Sequence, residues 1–179
     1  ENVARIFSAQ GYVVNAIYRA TSLQVFDGLF SGGYRFMHLA GHGVVKDRDT
    51  GQNGMVLGPN NYLTAAQVNQ LRHVPEFVFI NCCHLGSTRQ DAMPRWSELA
   101  ANLATQFIEM GCKAVIAAGW AVEDGAATTF AQTFYNAMFA GRRFAQAVLQ
   151  ARAATYRQHG SSNTWGAFQA YGDDRYSFP

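Results

Sequence analysis

The sequence predicts an α/β fold, a mainly parallel β-sheet with helices on both faces. Three observations carry this. Short aromatic and β-branched runs such as Phe77-Val-Phe-Ile80 suit buried strands. Such runs alternate with stretches of helical spacing along the whole chain, the pattern of parallel strands joined by crossover helices. The chain has 179 residues, 49% hydrophobic and 15% charged, enough for one domain with a sizeable core and too apolar for disorder.

In order, Val3, Ile6 and Phe7 give a short helix over 1–10, ended by Gly11. Tyr12 to Tyr18 reads as a strand. Thr21 or Ser22 caps a helix carrying Leu23, Phe26, Leu29 and Phe30, and Gly32-Gly33 stops it. Tyr34 to Leu39 is the next strand. A polar, Gly-rich excursion follows from Val44 to Asn61, with Met55 to Leu57 as a short hairpin strand. Leu63 to Leu71 is a helix with Thr64 as its cap, and Phe77 to Ile80 is a strand. Ser87 to Pro94 reads as a loop, Leu99 to Met110 as a helix, and Lys113 to Trp120 as a strand. Asp124 opens a helix over Ala126 to Phe139, broken at Gly141; Phe144 to Gln158 is another, and Trp165 to Tyr171 a closing strand. No repeat, low-complexity tract or linker divides the chain, so 1–179 reads as a single domain.

The composition narrows the function. A net charge of +2 is too small to mark a nucleic-acid surface. The longest apolar run, Ala114 to Val122, is too short to span a bilayer. No charged-then-apolar leader opens the sequence, and its first residue is Glu, so the chain reads as a piece of a longer protein or a processed one. Three cysteines, two of them adjacent, do not make a disulfide framework; they fit a reducing, cytoplasmic compartment.

Two strand ends carry chemistry. One runs through His38-Leu-Ala-Gly-His-Gly43, the other through Ile80-Asn-Cys-Cys-His-Leu-Gly86. Parallel strands of one sheet share their C-terminal edge, so neighbours can deliver His42 and Cys83 to one crevice. An imidazole that takes the thiol proton turns a weak nucleophile into a strong one. Gly41 and Gly43 let the backbone turn and approach a substrate closely, and the backbone N–H groups of Gly43 and Cys83 are candidates for an oxyanion hole. The plainer alternative is that the cysteines are small core residues and the histidine a hydrogen-bonded strand end. A metal reading also exists, a zinc hydrolase using His38, His42 and Cys83. Contiguous strand residues point to opposite faces, so at most two of Cys82, Cys83 and His84 can share one ion. Glu123 and Asp124 form an acidic pair on the same sheet edge. The residues leave open whether Asp124 is a helix N-cap or a carboxylate that pairs with a cation in the cleft. There is no P-loop and no Gly-x-Ser-x-Gly elbow, and Gly41-His-Gly43-Val-Val-Lys46 lacks the third glycine of a dinucleotide fingerprint.

Taken together, these motifs resemble the CHAT domain, in the caspase-like group of cysteine peptidases that includes caspases, separases and gingipains. His38-Leu-Ala-Gly-His-Gly43 is similar to the family's His-Phe-Ala-x-His-Gly strand end. Leu57 followed by Leu63-Thr-Ala-Ala-Gln-Val resembles its stretch before the nucleophile strand. Asn81-Cys-Cys-His-Leu-Gly86 stands where the family has Ser-Ala-Cys-Glu-Thr-Gly, with His84 and Leu85 as departures. Gly111 to Asp124 is similar to its Gly-x-x-x-Val-x-x-x-x-Trp-x-Val-x-Asp stretch. The resemblance implies a caspase-like fold and a cysteine endopeptidase that needs no cofactor. His42 would be the general base and acid and Cys83 the nucleophile, with Gly43 and Cys83 at the oxyanion. Asp124, with Glu123 second, would receive a basic P1 side chain, Arg or Lys. It further implies a protein or peptide substrate, a regulatory helical-repeat or sensor region as partner, and at least one strand N-terminal to the first helix, without which a sheet edge would be unpaired. The alternative within the family is a silent or gated domain that only binds a partner.

Overall fold

A computed structural model describes residues 2–45, 53–58, 61–84 and 93–179; for 45, 83, 84 and 93–96 it describes the backbone alone. The expected loop Ser87 to Pro94 therefore lies largely outside the described residues, as do Leu85 and Gly86.

One six-stranded sheet organises the chain. Its centre is the parallel trio β1 (Phe36–Val45), β4 (Phe77–His84) and β5 (Ala114–Ala118). The hairpin β2 (Asn53–Gly58) and β3 (Asn61–Leu63) adds antiparallel to β1, and β6 (Phe168–Gly172) adds antiparallel to β5. The fold is α/β and the sheet lies between helices, as expected.

The unbroken apolar runs have a simple cause: β4 and β5 are covered on both faces. Phe77 and Phe79 enter a core with Phe130, Phe134 and Ala147, under α1 (Asn2–Ala9), α5 (Asp124–Phe139) and α6 (Phe144–His159). Val78, Ile80 and Cys82 enter a second core with Leu29, Val68, Leu103 and Phe107, under α2 (Ser22–Ser31), α3 (Ala65–Val68) and α4 (Met93–Glu109). The first core is an aromatic network in which Phe7 of α1 meets Tyr135 and Phe139 of α5 at 5.0 and 5.1 Å between ring centres. Phe178, near the C-terminus, closes on Phe36 at 4.4 Å and on Phe139 at 5.1 Å.

At the N-terminal edge of the trio, Glu76 ties the three strand starts together. Its carboxylate accepts from Arg35 Nε at 2.8 Å and from Lys113 Nζ at 3.1 Å. Its backbone N–H donates to Arg35 O, and its carbonyl accepts from Lys113 N. Burial alone would raise the pKa of Glu76; the hydrogen bonds from Lys113 and Arg35 outweigh it and hold the carboxyl below its usual value.

Thr21 caps α2 and Thr64 caps α3, each in a capping box with a Gln three residues on. Gly111 (φ 106°) and Gly141 (φ 75°) take the left-handed conformation that lets the chain leave α4 and α5.

Several elements differ from expectation. Tyr12 to Tyr18 forms no strand: Val13 is fully exposed, and among the described residues no backbone hydrogen bond reaches 13–18. Alternation alone, without a neighbouring strand to bond, does not make a sheet strand. The helix expected over Leu63 to Leu71 is a single α-turn, Ala65–Val68, continued by the 3₁₀-type bonds Gln70 N to Gln67 O and Leu71 N to Val68 O. Helix α4 begins at Met93, ahead of the expected Leu99, because Pro94 falls in its first turn, where its missing N–H costs no bond. The closing strand starts later than Trp165: α7 (Thr164–Ala167) precedes it, anchored where Thr164 Oγ1 accepts from Glu123 N at 3.0 Å. β3 was not foreseen, and β1 runs on past Leu39 to Val45.

Candidate active site

Each candidate arrives by a different element. In the parallel pair β1–β4, His42 is the Cα partner of Cys83, and Gly43 of His84. On the other side β2 takes over, with His42 opposite Val56 and Gly43 opposite Met55. The backbone of His42 is thus held between two strands while its side chain is exposed. A Cβ on Gly41 would lie 2.7 Å from Met55 Cε, the far end of a flexible side chain that can swing aside.

The two adjacent cysteines separate by parity. Cys82, 6% exposed, belongs to the core of Leu99, Leu103 and Val115. Cys83 holds the β4 position that follows Phe77, Phe79 and Asn81 at two-residue spacing, the set of the opposite face. Asn81 lies one step before it in that set, with Oδ1 buried and, among the described residues, without a hydrogen-bond partner.

The acidic pair also separates. Glu123 is the N-cap residue of α5 but makes no side-chain cap, and its side chain is exposed. Asp124 is the first helical residue, so the reading of Asp124 as N-cap is not realised; its carboxylate stands where the helix dipole favours negative charge. Asp124 lines a groove of about 570 Å³ together with His38, Ala40, Asn81 and Thr128, and Glu123 does not. The run before α5 explains this delivery: Trp120 is partly buried and Val122 buried against the first core, while Ala121 and Glu123 face outward.

His38 is not at the strand tip. Its Nδ1 lies 2.9 Å from the Tyr135 hydroxyl and its ring packs on Phe79 at 4.9 Å. Burial lowers its pKa to about 4, so the imidazole is neutral near pH 7, and burial raises that of Tyr135. Among the described residues no three His, Cys, Asp or Glu side chains converge as a metal site would need, and His38 is turned to Tyr135. Sequence reading missed Asn81 and Tyr135. For Tyr135 the available signal was a hydroxyl among the apolar positions of α5, which needs a buried partner.

A family model described as the CHAT domain matches residues 1–173. The chain belongs to the CHAT domain family. Among solved structures, the Arg specific cysteine proteinase gingipain R superposes on this CHAT domain with a TM-score of 0.63 at 14% identity, covering 98% of this chain and 41% of gingipain R. The CHAT domain therefore spans less than half of that protein, and the likeness establishes a shared caspase-like fold. No curated protein matches the sequence. Among the described residues no helix of the CHAT domain is long and apolar enough to cross a membrane.

Proposed function

We propose that this domain is a cysteine endopeptidase working through a His42–Cys83 dyad. The observation that carries the reading is the register: one parallel strand pair sets His42 and Cys83 level with each other at its C-terminal end. Membership of a family related to cysteine peptidases supports it.

His42 takes the proton from the Cys83 thiol, and the sulfur attacks the scissile carbonyl carbon, forming a C–S bond. The oxyanion is met by the backbone N–H groups of Gly43 and Cys83. Collapse breaks the C–N bond, and His42 returns its proton to the leaving amine. Water, deprotonated by His42, then attacks the thioester, the C–S bond breaks, and Cys83 recovers its proton. No metal or organic cofactor enters these steps.

Asp124 selects a basic P1 residue, Arg before Lys, because a carboxylate receives a planar guanidinium through two parallel hydrogen bonds. Its support is the position of Asp124 on the groove that Asn81, two residues before the proposed nucleophile, also lines. The substrate is a protein or peptide, and a helical-repeat or sensor region controls access to the site in the cytoplasm.

The test is intact mass after exposure to an arginyl chloromethyl ketone peptide. One adduct on the wild type and on Cys82→Ala, absent from Cys83→Ala and His42→Ala, is the expected result. An adduct that survives Cys83→Ala overturns the assignment. A wild type that stays unlabelled beside a regulatory region known to be engaged favours a partner-binding domain instead.

A further inference from the structure

Helix α6 is apolar on two sides. Phe144, Ala147, Val148 and Ala151 face the first core. On the outer side Ala145, Leu149, Ala153 and Tyr156 follow at spacings of four, four and three, which sets them in one row. Leu149 is 70% exposed and Tyr156 57%. Trp165 of α7 flanks the row and meets Tyr156 edge to face at 5.4 Å. A helix apolar all round is normally covered on both sides, and the described residues leave this row open.

Two features narrow what covers it. The row is uncharged: between Phe144 and Tyr156 the single charged side chain is Arg152, and its guanidinium donates to Phe168 O at 2.8 Å. An acidic or basic partner finds nothing there to pair with. The same bond blunts β6, the edge strand of the sheet. Ala167 O accepts from Gly119 N, and Asp173 N donates to Lys113 O, so odd-numbered residues of β6 turn their peptide groups to β5 and even-numbered ones turn them outward. Arg152 occupies Phe168 O, and the outward groups that remain, at Ala170 and Gly172, are too few to template an added strand. The surface therefore fits a helix.

We infer that a second copy of this chain docks here, α6 against α6, roughly antiparallel about a two-fold axis level with Ala151. Such an axis sets position 149 against 153 and 145 against 156. Leu149 then fills the space over the partner's Ala153, and Tyr156 covers the partner's Ala145, each contact occurring twice by symmetry. Large meets small at every step of the row, so the surface is its own complement in size as well as in charge. A shift of one turn would set Leu149 on the partner's Leu149 and Ala145 on the partner's Ala153, a bulge beside a gap. By helical rise the row is about 16 Å long, which makes the interface one of the weak class, below about 1,200 Å² in total.

The inference is independent of the proteolytic reading, and its test reads mass alone. Sedimentation equilibrium is run on the 179-residue chain in reducing buffer from about 2 to 200 µM, a range that brackets a weak dimer. The wild type is expected to pass from monomer to dimer across it. Leu149→Ala leaves a gap over the partner's Ala153, and Ala153→Leu forces two leucines into one space; each should weaken association by about tenfold or more. The double variant Leu149→Ala/Ala153→Leu exchanges large and small and should recover most of the wild-type association. Leu23→Arg, at an exposed apolar position of α2, should change nothing. Leu149 and Ala153 lie on the outer side of α6, so thermal melts of all variants should match the wild type. A wild type that stays monomeric throughout overturns the inference. So does a double variant no stronger than the single ones, which would make the row a non-specific apolar surface. Loss of the dimer with Leu23→Arg overturns it as well, by placing the contact elsewhere.

Discussion

His42 and Cys83 are Cα partners across the parallel pair β1–β4, whereas Cys82, one residue earlier, lies in the core on the other side of the sheet. The two thiols therefore respond differently to removal. Cys82→Ala should lower Tm by a few degrees, on the order of 1 kcal/mol for a small core truncation, while labelling of the protein by an electrophilic peptide continues at about the wild-type rate. Cys83→Ala should leave Tm near wild type and abolish labelling. Thermal melts alongside timed intact mass check both.

His42→Ala should slow that labelling by roughly 10²- to 10⁴-fold, the usual worth of a positioned proton acceptor. The rate is measured at fixed electrophile concentration from pH 6 to 9. A variant that keeps the wild-type rate would remove His42 from the mechanism.

For Asp124→Asn, kcat/KM on peptides with Arg at P1 should fall by about tenfold to a hundredfold, with peptides of neutral P1 unaffected. Glu123→Gln should change neither, since Glu123 is exposed and off the groove. A matched peptide pair differing at P1 alone provides the measurement.

Below neutrality His38 should cost stability. Its folded pKa, about 4, lies under the unfolded value of 6.5, so the unfolded chain binds the proton first. Stability is then full above pH 6.5 and declines as pH falls towards 4, by about 2 kcal/mol at pH 5. His38→Gln should flatten this slope between pH 7 and 5, as read from denaturant midpoints. The contribution of Glu76 has the other window: its folded pKa is depressed, so its stabilisation is present above the carboxylate range and lost as pH falls through that depressed pKa.

Glu76→Gln at pH 7 should cost roughly 1 kcal/mol or less, since Arg35 and Lys113 are half exposed, and the difference should shrink in 1 M salt. Melts at two salt concentrations suffice.

Much of the architecture was legible where packing and local pattern agree. Phe77 to Ile80 and Ala114 to Ala118 are buried on both faces, and their sequences show nothing else. Thr21 and Thr64 announced their caps, and the His42 and Cys83 strand ends their common edge. The misreadings arose where a neighbour decides. Tyr12 to Tyr18 has strand spacing without a partner, a property of the surroundings rather than of the segment. Asn81 looked like an ordinary strand residue; only the folded chain shows its Oδ1 buried beside the groove of Asp124. The Glu76 hub joins residues from three strand starts, and no local pattern connects Arg35 with Lys113.

The aromatic cluster that joins Phe7 to Phe139 and Phe178 bears on how the protein is made. Phe7 leaves the ribosome well ahead of Phe139 and Phe178, two of the rings that pack around it. At about 5–20 residues per second, Phe7 waits on the order of ten seconds or more for Phe178. During that interval the first core is incomplete, and a chaperone that shields Phe7 and its neighbours would act on every nascent chain rather than on misfolded ones alone.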